Sequence, residues 1–282
     1  MQRTTHLTSH STHPSTPAAM FTSLWLNRHL IWQMTRRDIV ARYRGSLIGL
    51  AWSFITPLLM LMVYTFVFSM VFKARWGTGE NESRADFAII LFVGLIVFGF
   101  FSEIVNRAPR QVISNANYVK KVVFPLEILS WISLGSVLFH SLISLVVLLL
   151  AQLLINQSLP WTVVLFPLVL LPLIFASLGV AWFLAALGVY IRDIGQITTV
   201  FTTMLMFLSA VFYPVSALPP GYQALLRLNP LVVIINESRK VLILGSLPDW
   251  PWLGFALLMG LVMSFAGFWW FQKTRKGFAD VL

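Results

Sequence analysis

Four arginines, Arg36, Arg37, Arg42 and Arg44, fall within the ten residues TRRDIVARYR, and no charged side chain follows for twenty-eight positions. Guanidinium groups crowded in this way can grip an anionic lipid headgroup, since each offers a planar fork of donors to phosphate oxygens. They can equally hold one end of an apolar helix on the side of a membrane where basic residues collect. Other groups able to do chemistry are sparse. Asp38, Glu103, Glu127 and Asp193 are scattered without forming a pair, and His140 stands alone within an apolar block. A lone intramembrane histidine is more often a hydrogen bond between helices than a proton relay. The absence of cysteine removes thiolate chemistry and cysteine metal sites. No Gly-Lys dipeptide occurs, so no phosphate-binding P-loop can be built here. Ion-coupled carriers mark their pathways with membrane-embedded carboxylates, and these too are missing. Any work the chain performs on a substrate therefore draws its energy from elsewhere.

The elements that must position these groups are apolar blocks. The chain is 58% hydrophobic and 11% charged, with mean hydropathy +0.81, against roughly 25% charged residues in soluble domains. Residues 47–72, 87–101, 126–155, 161–191, 194–213 and 250–271 form six such blocks, most of them near the roughly 20 residues that cross a bilayer as helix. The expected fold is an all-α membrane protein with six transmembrane helices. Alternating them places fourteen basic residues on one side and six on the other, which assigns both termini to the cytosol. The net charge of +10 is thus explained by topology, and nucleic acid is not an expected partner. The polar start, MQRTTHLTSHSTHPSTPAAM, lacks the apolar core of a signal peptide. Residues 1–20 are expected to be a disordered cytosolic tail and 21–282 the transmembrane domain, with Met20 a second candidate start.

Between the tail and the first block, Phe21, Trp25, Trp32, Ile39 and Tyr43 share one helical stripe, interrupted by Arg36, while Leu30 and Met34 fall opposite. This predicts an amphipathic interface segment that is not one straight helix. The loop after the second block is expected to carry a short helix over 112–123, ended by Pro125. Between the fifth and sixth blocks, apolar pieces at 224–228, 231–235 and 241–244 are too short to span and are divided by prolines. They predict a re-entrant helical hairpin on the outer face, with Asn236, Glu237, Arg239 and Lys240 at a pore mouth. Pro167 and Pro172 predict a kinked or tilted fourth span. Ala256, Gly260, Ser264 and Gly267 in the last span, with Ala181 and Ala185 in the fourth, predict close helix approach within or between subunits. Tyr64, Phe68 and Phe72 share a face of the first span, and Phe201 and Phe212, with Tyr213, lie on the fifth. Aromatic faces of this kind pack well on pyranose rings.

The segments LIWQMTRRDIVARYRGSLIGLAWSFITPLLMLMVYTFVF, NANYVKKVVFPLEIL, SAVFYPVSALPPGYQALLRLNPL and ESRKVLILG, taken in this order, resemble the permease subunit of type-2 ABC exporters of bacterial cell-surface polysaccharides. The resemblance runs from about Leu24 to the end. It implies a homodimer in the bacterial inner membrane, paired with two copies of a soluble P-loop ATPase. No cofactor is then expected in this chain, since ATP and magnesium would be bound by that partner, and the chain itself is not expected to be an enzyme. The resemblance further implies that a loop containing Asn115, Asn117, Tyr118, Lys120, Lys121, Phe124 and Pro125 docks on the ATPase together with the interface helix. It implies a channel lined by the first and fifth spans, which makes Tyr64, Phe68, Phe72, Phe201, Phe212 and Tyr213 its candidate lining. The channel would be capped by an outer hairpin containing Pro214, Pro219, Asn229, Pro230, Glu237 and Arg239. Arg42 and Arg44 become candidates for the phosphates of a lipid-linked polysaccharide, with O-antigen the leading cargo beside capsule and teichoic acid. Two other readings stand beside it: a type-2 exporter of a small molecule or lipid, and an integral-membrane enzyme of cell-envelope assembly.

Overall fold

A computed structural model describes residues 15–67, 76, 84–120 and 124–282. Twelve α-helices and no strands occur among them. In chain order they are α1 (Pro17–Leu26), α2 (Arg28–Arg42), α3 (Trp52–Tyr64), α4 (Arg84–Gln111), α5 (Ala116–Lys120), α6 (Ile128–Asn156), α7 (Phe166–Tyr190), α8 (Ile194–Leu208), α9 (Pro220–Arg227), α10 (Pro230–Arg239), α11 (Trp250–Thr274) and α12 (Phe278–Val281).

Five stretches are helical, long and apolar enough to cross a membrane: Gly49–Val67, Ala85–Gln111, Ile128–Asn156, Trp161–Tyr190 and Trp250–Val281. The first adds a 3-10 turn ahead of α3, and the fourth adds one ahead of α7. The block expected at 194–213 is helical only over the 15 residues of α8, roughly 22 Å of rise. It ends because Ala210 adopts a left-handed backbone, φ +51°, which no α-helix continues through.

The core is built around α4, which packs against α6, α7, α8 and α10. Seven consecutive residues from Phe87 to Val93 are buried on all sides, as a helix surrounded by neighbours requires. The opposite arrangement holds for α3. Only Ser53, Pro57 and Leu61, at four-residue spacing, are buried, and the rest of that helix presents apolar side chains outward.

The small residues of the last span meet α7 of the same subunit. A Cβ at Gly179 would run into the Met263 carbonyl, one at Gly260 into the Pro172 carbonyl, and one at Gly267 into the Gly179 carbonyl. Glycine here is a matter of contact: the two backbones touch, and dispersion between them replaces the absent hydrophobic drive inside lipid. Pro167 falls in the first turn of α7, where its missing N–H costs nothing, and Pro172 lies inside the helix with its carbonyl against α11.

The interface segment breaks as its imperfect stripe predicts, at Asn27, into α1 and α2. Which face is buried differs from expectation. Ile31, Met34 and Thr35 face the protein, whereas Trp25 and Trp32 are 69% and 71% exposed. Indole rings suit a membrane surface, so the two tryptophans are left outside while smaller side chains pack on α6. Helix α1 begins at Pro17, ahead of residue 21. Thr16 caps α1, Met20 is fully buried, and Ser264 of α11 donates to its sulfur at 3.3 Å.

Candidate functional site

The arginines of α2 lead into a charged seam with α4. Arg42 Nη1 lies 2.6 Å from Glu103 Oε1, and Arg107 Nη2 lies 2.7 Å from the same oxygen. Arg107 Nη1 reaches Asp38 Oδ2 at 3.2 Å. Charges from the two helices alternate, which fixes the register of α2 on α4 while contributing little to stability, because all four side chains are partly exposed. Arg42 is therefore an ion-paired residue, 43% exposed at its side chain. Arg44 is exposed and, with Arg36 and Arg37, lines a groove of about 410 Å³ on the outer face of α2. Tyr43 approaches His140 Nδ1 of α6 at 3.4 Å, so the isolated histidine has the interhelical contact expected of it.

The loop after α4 turns through a 3-10 segment, Ile113–Asn115, into α5. Asn115 donates to the Gln111 carbonyl at 2.9 Å and so caps the end of α4, while Asn117 is exposed on α5. Tyr118 stacks on Phe124 with ring centroids 4.5 Å apart and 18° between planes. Its hydroxyl accepts from both terminal nitrogens of Arg37, each at 3.3 Å. The loop is thereby tied to α2 through one phenol. Pro125 accepts from the Ile128 amide at 3.0 Å and starts α6. Lys121 and the side chain of Lys120 lie outside the described residues.

Phe124 also reaches a knot that sequence spacing does not hint at. Arg275, just after α11, donates Nη1 to Glu127 Oε2 at 2.6 Å and Nη2 to the Phe124 carbonyl at 2.7 Å. Ser23 of α1 donates to Glu127 Oε1 at 3.2 Å, and the fully buried Trp182 indole donates to the Glu127 carbonyl at 3.0 Å. One carboxylate, 8% exposed, thus joins the interface helix, the loop exit and the C-terminal end.

At the far end of the fold, Arg239 of α10 is 4% exposed. It donates to the carbonyls of Ile90 (3.2 Å), Ala210 (3.1 Å) and Val211 (2.9 Å), and stands 4.2 Å over the Trp76 ring. A guanidinium keeps its proton even when buried, so the charge persists and is met by oriented carbonyl dipoles. Ala210 in its left-handed turn supplies one of those carbonyls. Glu237, 6% exposed, pairs with Lys240 at 2.7 Å and accepts from the Asp249 amide at 2.9 Å. Both side chains face the protein interior, because a helix so closely packed leaves its charges no water and they must find partners. Asn229 caps α10 by accepting from Leu231 N at 3.0 Å and donates to the Leu208 carbonyl at 3.1 Å, with Pro230 in the first turn. Pro214 precedes a 3-10 turn, and Pro219 precedes α9.

Among the described residues, the aromatic candidates are not gathered into one surface within the subunit. Tyr64 ends α3, which packs on α6 and α4; Phe201 lies on the exposed face of α8, which packs on α4 and α7. Phe212 sits 5.6 Å from Phe207, and the Tyr213 hydroxyl donates to the Phe207 carbonyl at 2.7 Å. Phe68 and Phe72 lie outside the described residues.

Residues 29–243 match the ABC-2 type transporter family. An O-antigen export system permease protein, RfbA, of Myxococcus xanthus is 29% identical over 259 residues, covering 91% of this chain and 96% of the relative. The RfbA of Klebsiella pneumoniae is 24% identical, covering 88% and 93%. The polysialic acid transport protein KpsM of Escherichia coli is 24% identical, covering 82% and 88%. The matched region runs from the interface helix α2 through the charged seam, the stacked loop and the buried Arg239, and this chain belongs to the ABC-2 type transporter family.

Proposed function

We propose that this chain is the transmembrane permease subunit of an ATP-driven exporter that moves lipid-linked polysaccharide, an O-antigen first among the candidates, across a bacterial inner membrane. The observation that carries this reading is near full-length similarity to permease proteins named for O-antigen and capsule export, joined to family membership over residues 29–243. ATP and magnesium belong to two copies of a separate P-loop ATPase, and both termini of this chain face the cytosol. The docking surface on that ATPase is the loop from Asn115 to Pro125 with α2, and its support is the rigid set of contacts from Arg37 through Tyr118 to Phe124.

The active unit is a homodimer. Support comes from the outward apolar faces of α3 and α8, on separate flanks of α4, which a second copy could bring together around a conduit. Tyr64 and Phe201 would then line it. The short helix α8 with the residues up to Tyr213 makes the sixth crossing, and α9 with α10 forms the re-entrant cap. Buried, internally satisfied charges on α10 support that reading, since backbone and charges at membrane depth need protein partners. Arg44, in the groove with Arg36 and Arg37, is the better of the two original phosphate candidates, because Arg42 is already paired.

The test is ATP hydrolysis by the chain purified together with its cognate P-loop ATPase in lipid, with and without lipid-linked polysaccharide. Complex-dependent hydrolysis that changes on adding polymer is expected. A folded chain that binds no ATPase overturns the export reading.

A further inference from the structure

A cavity of about 550 Å³ lies between α2, the last turns of α4 and the first two turns of α6, on the inner side of the same helix whose outer face bears the arginine groove. That volume falls in the range of small-molecule sites. Arg37, Arg107 and Arg110 line it, opposed by the single carboxylate of Asp38. Asn106 and Ser133 also face it. An excess of lysine and arginine on one side of a membrane protein is ordinary, but that rule asks only for number. It does not require guanidinium groups from two helices to surround one cavity with an amide and a hydroxyl.

A second observation is independent of the charges. Ser133 is 8% exposed and its hydroxyl has no hydrogen-bond partner among the described residues. Leaving a buried hydroxyl unpaired costs about 1–3 kcal/mol, so the wall of this cavity holds a donor whose acceptor is absent from the protein. An acceptor with several oxygens and a negative charge would answer both features together. Arginine forks match phosphate oxygens in geometry as well as charge. Arg107 is fixed in place by Glu103 and Asp38, whereas Arg110 has no ion-pair partner among the described residues and runs along the first turn of α8, near Gly195. Asn106 bonds Thr202 of α8 at 3.1 Å. The cavity therefore borders a helix whose other face is open to lipid or to a second subunit.

We propose that this cavity is a binding site for a phosphate-bearing group, held by Arg37, Arg107 and Arg110 and accepting from the Ser133 hydroxyl. Placing that phosphate on the lipid carrier of the exported polymer rests on the export reading; the phosphate site itself does not. Titration calorimetry of the full chain in a neutral detergent, without any ATPase, tests it with two probes, farnesyl diphosphate and inorganic pyrophosphate. Arg110→Gln is expected to weaken binding about tenfold or more and Ser133→Ala about fivefold, from the loss of one charge-assisted and one neutral hydrogen bond. Arg28→Gln removes the same unit of charge from the start of α2, away from the cavity, and is expected to leave the affinity unchanged. Farnesyl diphosphate binding at least tenfold tighter than pyrophosphate assigns the group to a lipid, and equal affinities assign it to a soluble ligand. No saturable binding of either probe overturns the proposal, as does an equal loss in Arg28→Gln. Because the ATPase is absent from this experiment, its failure leaves the export reading standing, and failure of that reading leaves a measured affinity intact.

Discussion

Replacing Arg275 with methionine removes two charge-assisted hydrogen bonds at once, to the Glu127 carboxylate at 2.6 Å and to the Phe124 carbonyl at 2.7 Å. The two side chains are only 13% and 11% exposed, so solvent cannot take over either role. Glu127 keeps just the Ser23 hydroxyl, at 3.2 Å. Breaking one partner of a buried ion pair costs about 3–5 kcal/mol, chiefly because the other charge is stranded. Arg275→Met should therefore destabilise the chain by about that amount. Replacing both residues, Glu127→Met with Arg275→Met, strands no charge; it leaves the Phe124 carbonyl short of a donor, as Arg275→Met alone also does, and the Ser23 hydroxyl short of an acceptor, about 1–3 kcal/mol for each buried group. The double variant should be more stable than Arg275→Met alone. Unfolding in dodecyl maltoside titrated with dodecyl sulfate gives the four stabilities of the cycle, and the coupling energy follows from their differences. If the double variant loses the sum of the two single losses, the pair carries no interaction energy and the knot is only a proximity.

Further outcomes can be checked in the same assays. Arg239→Met leaves the carbonyls of Ile90, Ala210 and Val211 without a donor and should cost about 3 kcal/mol or more, with Arg239→Lys intermediate because an ammonium lacks the planar fork; an unchanged melting temperature would refute the account of that site. Gly267→Val drives a side chain into the Gly179 backbone and should cost about 1–3 kcal/mol or more, while Gly99→Ala meets nothing within 4 Å and should be neutral or slightly stabilising. Similar losses at both positions would mean that α7 and α11 do not touch as described. Tyr118→Phe keeps the stack on Phe124 but removes the acceptor for Arg37, so the chain should stay folded while hydrolysis by the bound ATPase falls several-fold; undiminished hydrolysis would remove that phenol from the docking surface.

Apolar periodicity made the spanning helices readable, since a helix that faces lipid must be apolar over the whole thickness it crosses. The break within the interface segment was legible for a related reason: Arg36 sits inside an aromatic stripe that one straight helix would have to bury or expose as a whole. The candidate site was legible only in part. Four arginines in ten residues pointed to α2, but not that Arg42 would be consumed by Glu103, sixty-one residues away. Glu237 and Arg239 looked like residues for a pore mouth because their side chains are charged, and nothing local says that three carbonyls from α4 and the α8 corner wait for the guanidinium.

The resemblance of four segments named the type-2 exporter family, while composition and pattern by themselves determined an all-helical membrane protein with its basic residues unevenly distributed. Those properties follow from composition, charge placement and local spacing, which are fixed before any two helices meet. Only the tertiary structure decided which glycines bring α7 and α11 into contact, which carboxylate joins Ser23 to Arg275, and that Ser133 shares a cavity with three arginines. These depend on residues about a hundred positions apart in the chain being brought into contact. Inside an apolar fold such polar encounters are few, and each persists because leaving it unmade costs more than making it.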